Sequence, residues 1–170
     1  QGKKYTPTAD GGKEYETVGE TDKEGNYEKT KEVYDKEGKL VSSRKETVND
    51  KYPKSKGSYE ETKYDKNGGV VEETKVTKDA DGTYDNTRTI TYGKDKDGNS
   101  TGKIVSVVDN TEYRPEGETP SKQKSVASYD DNGKFKEVYK YEIDKDNKEI
   151  LINHQFYAKD TNGDSIYIDI

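Results

Sequence analysis

The sequence predicts an all-β fold, an antiparallel meander of about ten strands, from three observations. The tetrapeptide Asp-x-x-Gly recurs along the chain. Its copies are evenly spaced. The residues between them are rich in Tyr, Thr, Val and Ile and poor in Leu and Ala, which favours strand over helix.

The turns come first because they set the frame. Asp-x-x-Gly stands at Asp22–Gly25, Asp35–Gly38, Asp65–Gly68, Asp79–Gly82, Asp95–Gly98, Asp130–Gly133 and Asp160–Gly163, and Asp144–Asn147 is a variant ending in Asn. Asp caps a tight turn through its side chain, and Gly or Asn takes the positive φ of a type I turn with a G1 bulge. Gly38, Gly68 and Gly98 are 30 residues apart, as are Gly133 and Gly163, with one step of 35 between the two series. Gly25, Gly82 and Asn147 lie about midway between them, and Pro-containing loops near 51–57 and 110–121 fill two further midpoints. Alternate turns therefore belong to alternate edges of one sheet built from hairpins of about 30 residues. Residues 64–105 align without a gap on 129–170, which reads as duplication of a two-hairpin unit.

Between the turns, strands are expected over 13–20, 27–34, 39–48, 58–64, 70–78, 84–92, 102–109, 123–129, 135–143, 149–157 and 165–170. The early ones have mixed faces, as in Leu40, Ser42, Arg44, Glu46 and Val48, and Tyr59 to Tyr64 has little to bury on either side. Later strands alternate more cleanly. Phe135, Tyr139, Tyr141 and Ile143 share one predicted face, with Lys136, Lys140 and Glu142 opposite. Ile150, Ile152 and Phe156 repeat the pattern, and so do Ile166, Ile168 and Ile170. This gradient predicts a sheet that is partly single-layered, with a better-packed C-terminal third. A β-barrel is the alternative closure. Cross-strand Tyr–Tyr, Thr–Thr and Lys–Glu pairs would hold the wet part, each contributing about 0.2–1 kcal/mol.

Composition agrees. Val, Ile, Leu and Phe number 12, 8, 2 and 2 in 170 residues, charged residues make up 39%, and Trp, Met and Cys are absent. So little apolar area borders on the composition of disorder, but the chain carries 15 Tyr, each with a large apolar face and a hydroxyl that can stay wet. One domain over 3–170 is expected, with Gln1-Gly2 the remnant of a cleavable tag and a leader or anchor removed before it. The net charge of −6, with both signs interspersed, argues against nucleic acid as partner. No apolar run approaches membrane-spanning length, so membrane attachment would need an anchor outside this sequence.

Two families share features with this chain. Tyr34-Asp35-Lys36-Glu37-Gly38-Lys39-Leu40, Tyr64 to Val70 and Tyr129 to Phe135 resemble the Tyr-Asp hairpins of YD-repeat (Rhs-type) surface proteins, over the turns alone and without the usual Arg after the Gly. The Lys/Glu/Thr-rich meander is similar in texture to the single-layer sheet of spirochaete surface lipoproteins of the OspA type. Both resemblances imply an extracellular or cell-surface bacterial protein with a scaffold or interaction role, and neither transfers an active residue.

Candidate chemistry is sparse. His154 is the single histidine and there is no cysteine, so a histidine pair and a thiol nucleophile are excluded. His154 is expected to pack beside Ile152 and Phe156. Asp79-Ala80-Asp81-Gly82 and Asp95-Lys96-Asp97-Gly98 leave weak calcium binding open, but they lack the later bidentate Glu of an EF-hand loop. No other cofactor is expected. Tyr84 and Tyr92, or Tyr139 and Tyr141, offer an aromatic platform for sugar rings or a protein, and Tyr113, Arg114 and Pro115 mark a candidate recognition loop. The sequence thus suggests a monomeric, non-enzymatic surface or secreted β-repeat protein of scaffold, adhesin or anchored-lipoprotein type. Its partner would be a surface protein or glycan, and a carbohydrate- or peptide-binding module is the alternative.

Overall fold

A computed structural model describes residues 3–52 and 57–170. The expected tag remnant and part of the first Pro loop, residues 53–56, lie outside the described residues. Twelve strands follow one another: β1 Lys3–Pro7, β2 Lys13–Val18, β3 Asn26–Tyr34, β4 Leu40–Asn49, β5 Tyr59–Tyr64, β6 Val70–Lys78, β7 Tyr84–Lys94, β8 Ser100–Tyr113, β9 Ser121–Tyr129, β10 Phe135–Ile143, β11 Glu149–Lys159 and β12 Ser165–Asp169. Their order in the sheet is their order in the chain, every pairing is antiparallel, and β1 and β12 remain open edges. The sheet is a meander and does not close into a barrel.

The repeated turn explains this topology. At the Asp35 turn, Gly38 N–H donates to Asp35 C=O at 3.0 Å and Asp35 N–H to Lys39 C=O at 2.9 Å. The Asp35 Oδ1 accepts from the N–H groups of Glu37 and Lys39, both at 2.9 Å. The same two-donor cap recurs under Asp22, Asp65, Asp95, Asp130, Asp144 and Asp160. Gly68 has φ +83°, and Asn147 takes the same role at φ +64°.

Three differences from the sequence reading have physical causes. β1 extends the sheet by a hairpin whose turn begins at Thr8 instead of Asp, with Gly11 N–H donating to Thr8 C=O. β8 runs through Tyr113 and pairs Thr111 with Gln123 and Tyr113 with Ser121, which leaves 114–120 as the irregular stretch. Bulges also change which side chains share a face. Val41, Val71 and Lys136, each third after its turn glycine, have no opposite number in the register. Each bulge brings the preceding apolar residue opposite a tyrosine: Leu40 to Tyr34, Val70 to Tyr64 and Phe135 to Tyr129. Phe135 therefore leaves the face of Tyr139 and Tyr141. On β11 a further bulge at Ile152 pairs Leu151 with Tyr141 and Ile150 with Glu142.

The C-terminal third is not the better-packed part. Ile150, Leu151, Ile152, Ile166 and Ile170 are all exposed, Ile170 at 72%. Regular alternation needs a second layer to bury against, and a single sheet supplies none. Among the described residues the one buried apolar side chain is Val48, in the N-terminal half. Beside it, buried Asn49 donates to Glu24 C=O at 3.1 Å and Asn26 Oδ1 at 2.8 Å, and accepts from Lys51 N–H at 2.9 Å.

Two outcomes are expected in denaturant titrations. Gly68→Ala lowers stability by about 1–2 kcal/mol through its left-handed backbone alone, since an added Cβ would meet nothing within 4 Å. Asn49→Ala costs about 1–3 kcal/mol, by removing a buried amide and its three hydrogen bonds, whereas Ile170→Ala stays within about 0.5 kcal/mol.

Candidate functional site

Paired residues of an antiparallel sheet share a face, so the register sorts every strand residue onto either the Tyr34 face or the Val48 face. Tyr84 and Tyr92 both lie on the Tyr34 face, eight residues apart on β7, a separation of about 26 Å. They do not form one platform. The Tyr92 hydroxyl bonds Glu73, which raises the pKa of the phenol. Tyr84 stands opposite Tyr113 instead.

Tyr139 and Tyr141 lie on the Val48 face with ring centroids 6.4 Å apart. His154 stacks on Tyr139 at 3.9 Å and 6°, and Phe156 follows at 4.5 Å. The imidazole Nε2 sits 3.1 Å from Glu137 Oε1. The sequence correctly set His154 beside Phe156, but Tyr139 is its closest ring and already covers one side of it.

A longer aromatic row, missed in the sequence, crosses the Tyr34 face beside the Gly38, Gly68, Gly98, Gly133 and Gly163 turns. Tyr5, Tyr15 and Tyr34 touch in series at 5.7 and 5.6 Å. Tyr129, Phe135, Tyr157 and Tyr167 follow at 5.9, 6.0 and 5.3 Å. Leu40, Tyr64, Val70, Tyr92 and Ile104 fill the strands between them. The signal was present in Tyr34-Asp35, Tyr64-Asp65 and Tyr129-Asp130, each with an apolar residue two places after the glycine.

The candidate recognition loop divides. Tyr113 is 49% exposed and falls on the Tyr34 face. Arg114 is held from four directions. Its guanidinium meets Asp85 Oδ2 at 2.9 Å, Glu112 Oε2 at 3.0 Å and Gly82 C=O at 3.2 Å, and its N–H donates to Thr83 C=O. The Asp85 bond raises its pKa further above the usual arginine value. Arg114 thus fastens the β7–β8 hairpin, with Pro115 half-buried behind it.

A broad hollow lies on the Val48 face, toward the Gly82 and Asn147 turns. It is a trough of about 720 Å³ bordered by eight successive strands, β4 to β11. Arg44, Tyr59, Lys78, Thr87, Lys122 and Glu149 are among its lining residues. Strands so far apart can border one space only if the sheet curls with this face inward. Arg44 stacks over the Tyr59 ring at 3.6 Å, and Lys124 pairs with Glu149 at 2.7 Å.

No group of three or more metal-ligating side chains occurs among the described residues. The turn carboxylates already serve backbone N–H groups. Asp65 also accepts from Ser100 N–H at 2.7 Å, across from the next turn on the same edge. These backbone bonds, Ser100 first and Gly69 next, hold its carboxyl below the usual aspartate range. Asp22 and Asp130 are lowered in the same way, chiefly by the Asn26 and Lys134 N–H groups.

No known protein family matches this chain, and no curated protein matches its sequence.

The lowered carboxyls set the acid response. A carboxyl whose folded pKa lies below its unfolded value adds stability above the unfolded value, near pH 4, and loses it as pH falls through the folded one. Melting temperature should therefore hold steady at neutral pH and decline below about pH 4. Asp65→Asn is expected to melt lower at pH 7 and to show a shallower acid decline.

Proposed function

We propose that this chain is a non-catalytic β-repeat segment of a bacterial cell-surface or secreted protein, serving as a rigid scaffold, an adhesin segment or the ectodomain of an anchored lipoprotein. The observation that carries this reading is a twelve-stranded open sheet with Val48 as the buried apolar side chain among the described residues. Such a sheet devotes its residues to length and surface in place of an enclosed site. Its turns and charged texture add support through their likeness to YD-repeat and OspA-type proteins, which are extracytoplasmic.

A second reading is favoured by the trough on the Val48 face. Its volume falls within the range of ligand sites, about 300–1,000 Å³, and its wall mixes one aromatic ring with charged and hydroxyl side chains. That suits a carbohydrate or a peptide.

The scaffold reading has a direct test, helped by the absence of native cysteine. Dyes at Thr6→Cys on β1 and Ser165→Cys on β12 should report one narrow distance, below the about 50 Å that a flat sheet of this width would span. A broad distance distribution would sink the rigid-scaffold reading, and turnover in a broad hydrolase screen would overturn the non-catalytic one.

A further inference from the structure

The charges around the trough are not balanced, although the chain as a whole carries −6. Three carboxylates border it, Asp85, Glu112 and Glu149. Each already has a partner: Asp85 and Glu112 share Arg114, and Glu149 holds Lys124. Against them stand Arg44, Lys78, Lys122 and Lys124 in the wall and Arg114 at its end. Four cations thus line the wall against three carboxylates, and two of those carboxylates are taken up by Arg114 from outside it. Lys78 and Lys122 stand directly opposite Asp85 and Glu112 in the register, but the ion pairs of those two carboxylates go to Arg114. Arg44 is stacked on Tyr59 and also borders a smaller hollow lined by Glu16, Glu46, Lys29 and Lys31, of which Lys31 pairs with Glu14.

We propose that the trough binds an acidic oligosaccharide, one bearing carboxylate or sulfate groups, with Lys78 and Lys122 taking the charged groups. This rests on the carbohydrate reading above and names its ligand class. Tyr59 presents a ring and Arg44 a planar cation at the β4–β5 wall, while Thr87 and Asn110 supply a hydroxyl and an amide for sugar hydroxyls. Charge-assisted bonds from lysine to a carboxylate or sulfate are stronger than neutral ones. The positive excess is local, because screening confines it to about 8 Å at physiological salt. Outside the trough the net negative chain repels a dense polyanion, and nucleic acid would need a longer basic track. A sugar chain with one charge per unit or two, and hydroxyls between, fits the interleaved wall.

The test is a calorimetric titration of the whole chain with three probes of equal length: an oligogalacturonate, a sulfated chondroitin oligosaccharide and a neutral cello-oligosaccharide. An oligothymidylate serves as the polyanion comparison. The acidic sugars should bind and weaken as salt rises. Lys78→Gln and Lys122→Gln should each raise Kd about tenfold, the effect of losing one charge-assisted bond. Lys140→Gln, on the Tyr34 face, should leave Kd unchanged. Folding of every variant is checked by its melting curve, above all for Lys78, which is half-buried beside Gly57, whereas Lys122 is exposed.

Binding of the neutral sugar as tightly as the acidic ones overturns the ligand class and leaves the carbohydrate reading standing. An equal loss with Lys140→Gln overturns the site. Tighter binding of oligothymidylate overturns the saccharide. No binding by any sugar overturns both this inference and the carbohydrate reading.

Discussion

Backbone hydrogen bonds between neighbouring strands are the interaction on which everything else here depends. Each interior strand is bonded on both edges and has no second sheet above or below it. Each such bond adds a modest net amount, but leaving one unmade beside a partner strand is costly. Register then becomes the structural variable, because a slip of one residue moves every side chain to the other face. The Asp-capped turns hold that register at each hairpin, and their positions in the chain determine where every side chain goes.

What a second layer does elsewhere is done here by lateral contact within each face. The aromatic row on the Tyr34 face places rings or aliphatic groups side by side from β1 to β12, edge to face in several places. Ion pairs such as Lys63–Glu72 and Arg88–Asp109 join directly opposed residues. They are partly exposed and individually weak. The apolar alternation of β10 to β12 belongs to the same lateral scheme, which is why regular periodicity gave no buried core there.

The sequence showed the strands and turns because both obey local rules. Gly38, Gly68 and Gly98 mark hairpin ends whatever surrounds them. The hairpin before Lys13 escaped because Thr8 stands where the pattern expects Asp, although Asp10-Gly11 is itself a turn signal. The bulges were hidden for a different reason. An extra residue such as Val41 or Lys136 looks like ordinary strand, and only the opposite register exposes it. Arg114 read as part of a recognition loop because its partners Asp85 and Gly82, on β7 and in the turn before it, lie about thirty residues back in the chain. The trough depends on curvature accumulated over eight strands, which no local pattern encodes.

A sheet whose strands touch mainly their immediate neighbours behaves almost as a one-dimensional chain of coupled units. Unravelling would then start at the outer hairpins and advance inward, with the centre yielding last. For the same reason a hairpin can be inserted or deleted without repacking distant parts, since each Tyr-Asp turn brings its own fastening. Copying error in such a gene would alter the reach of the protein before it altered the fold.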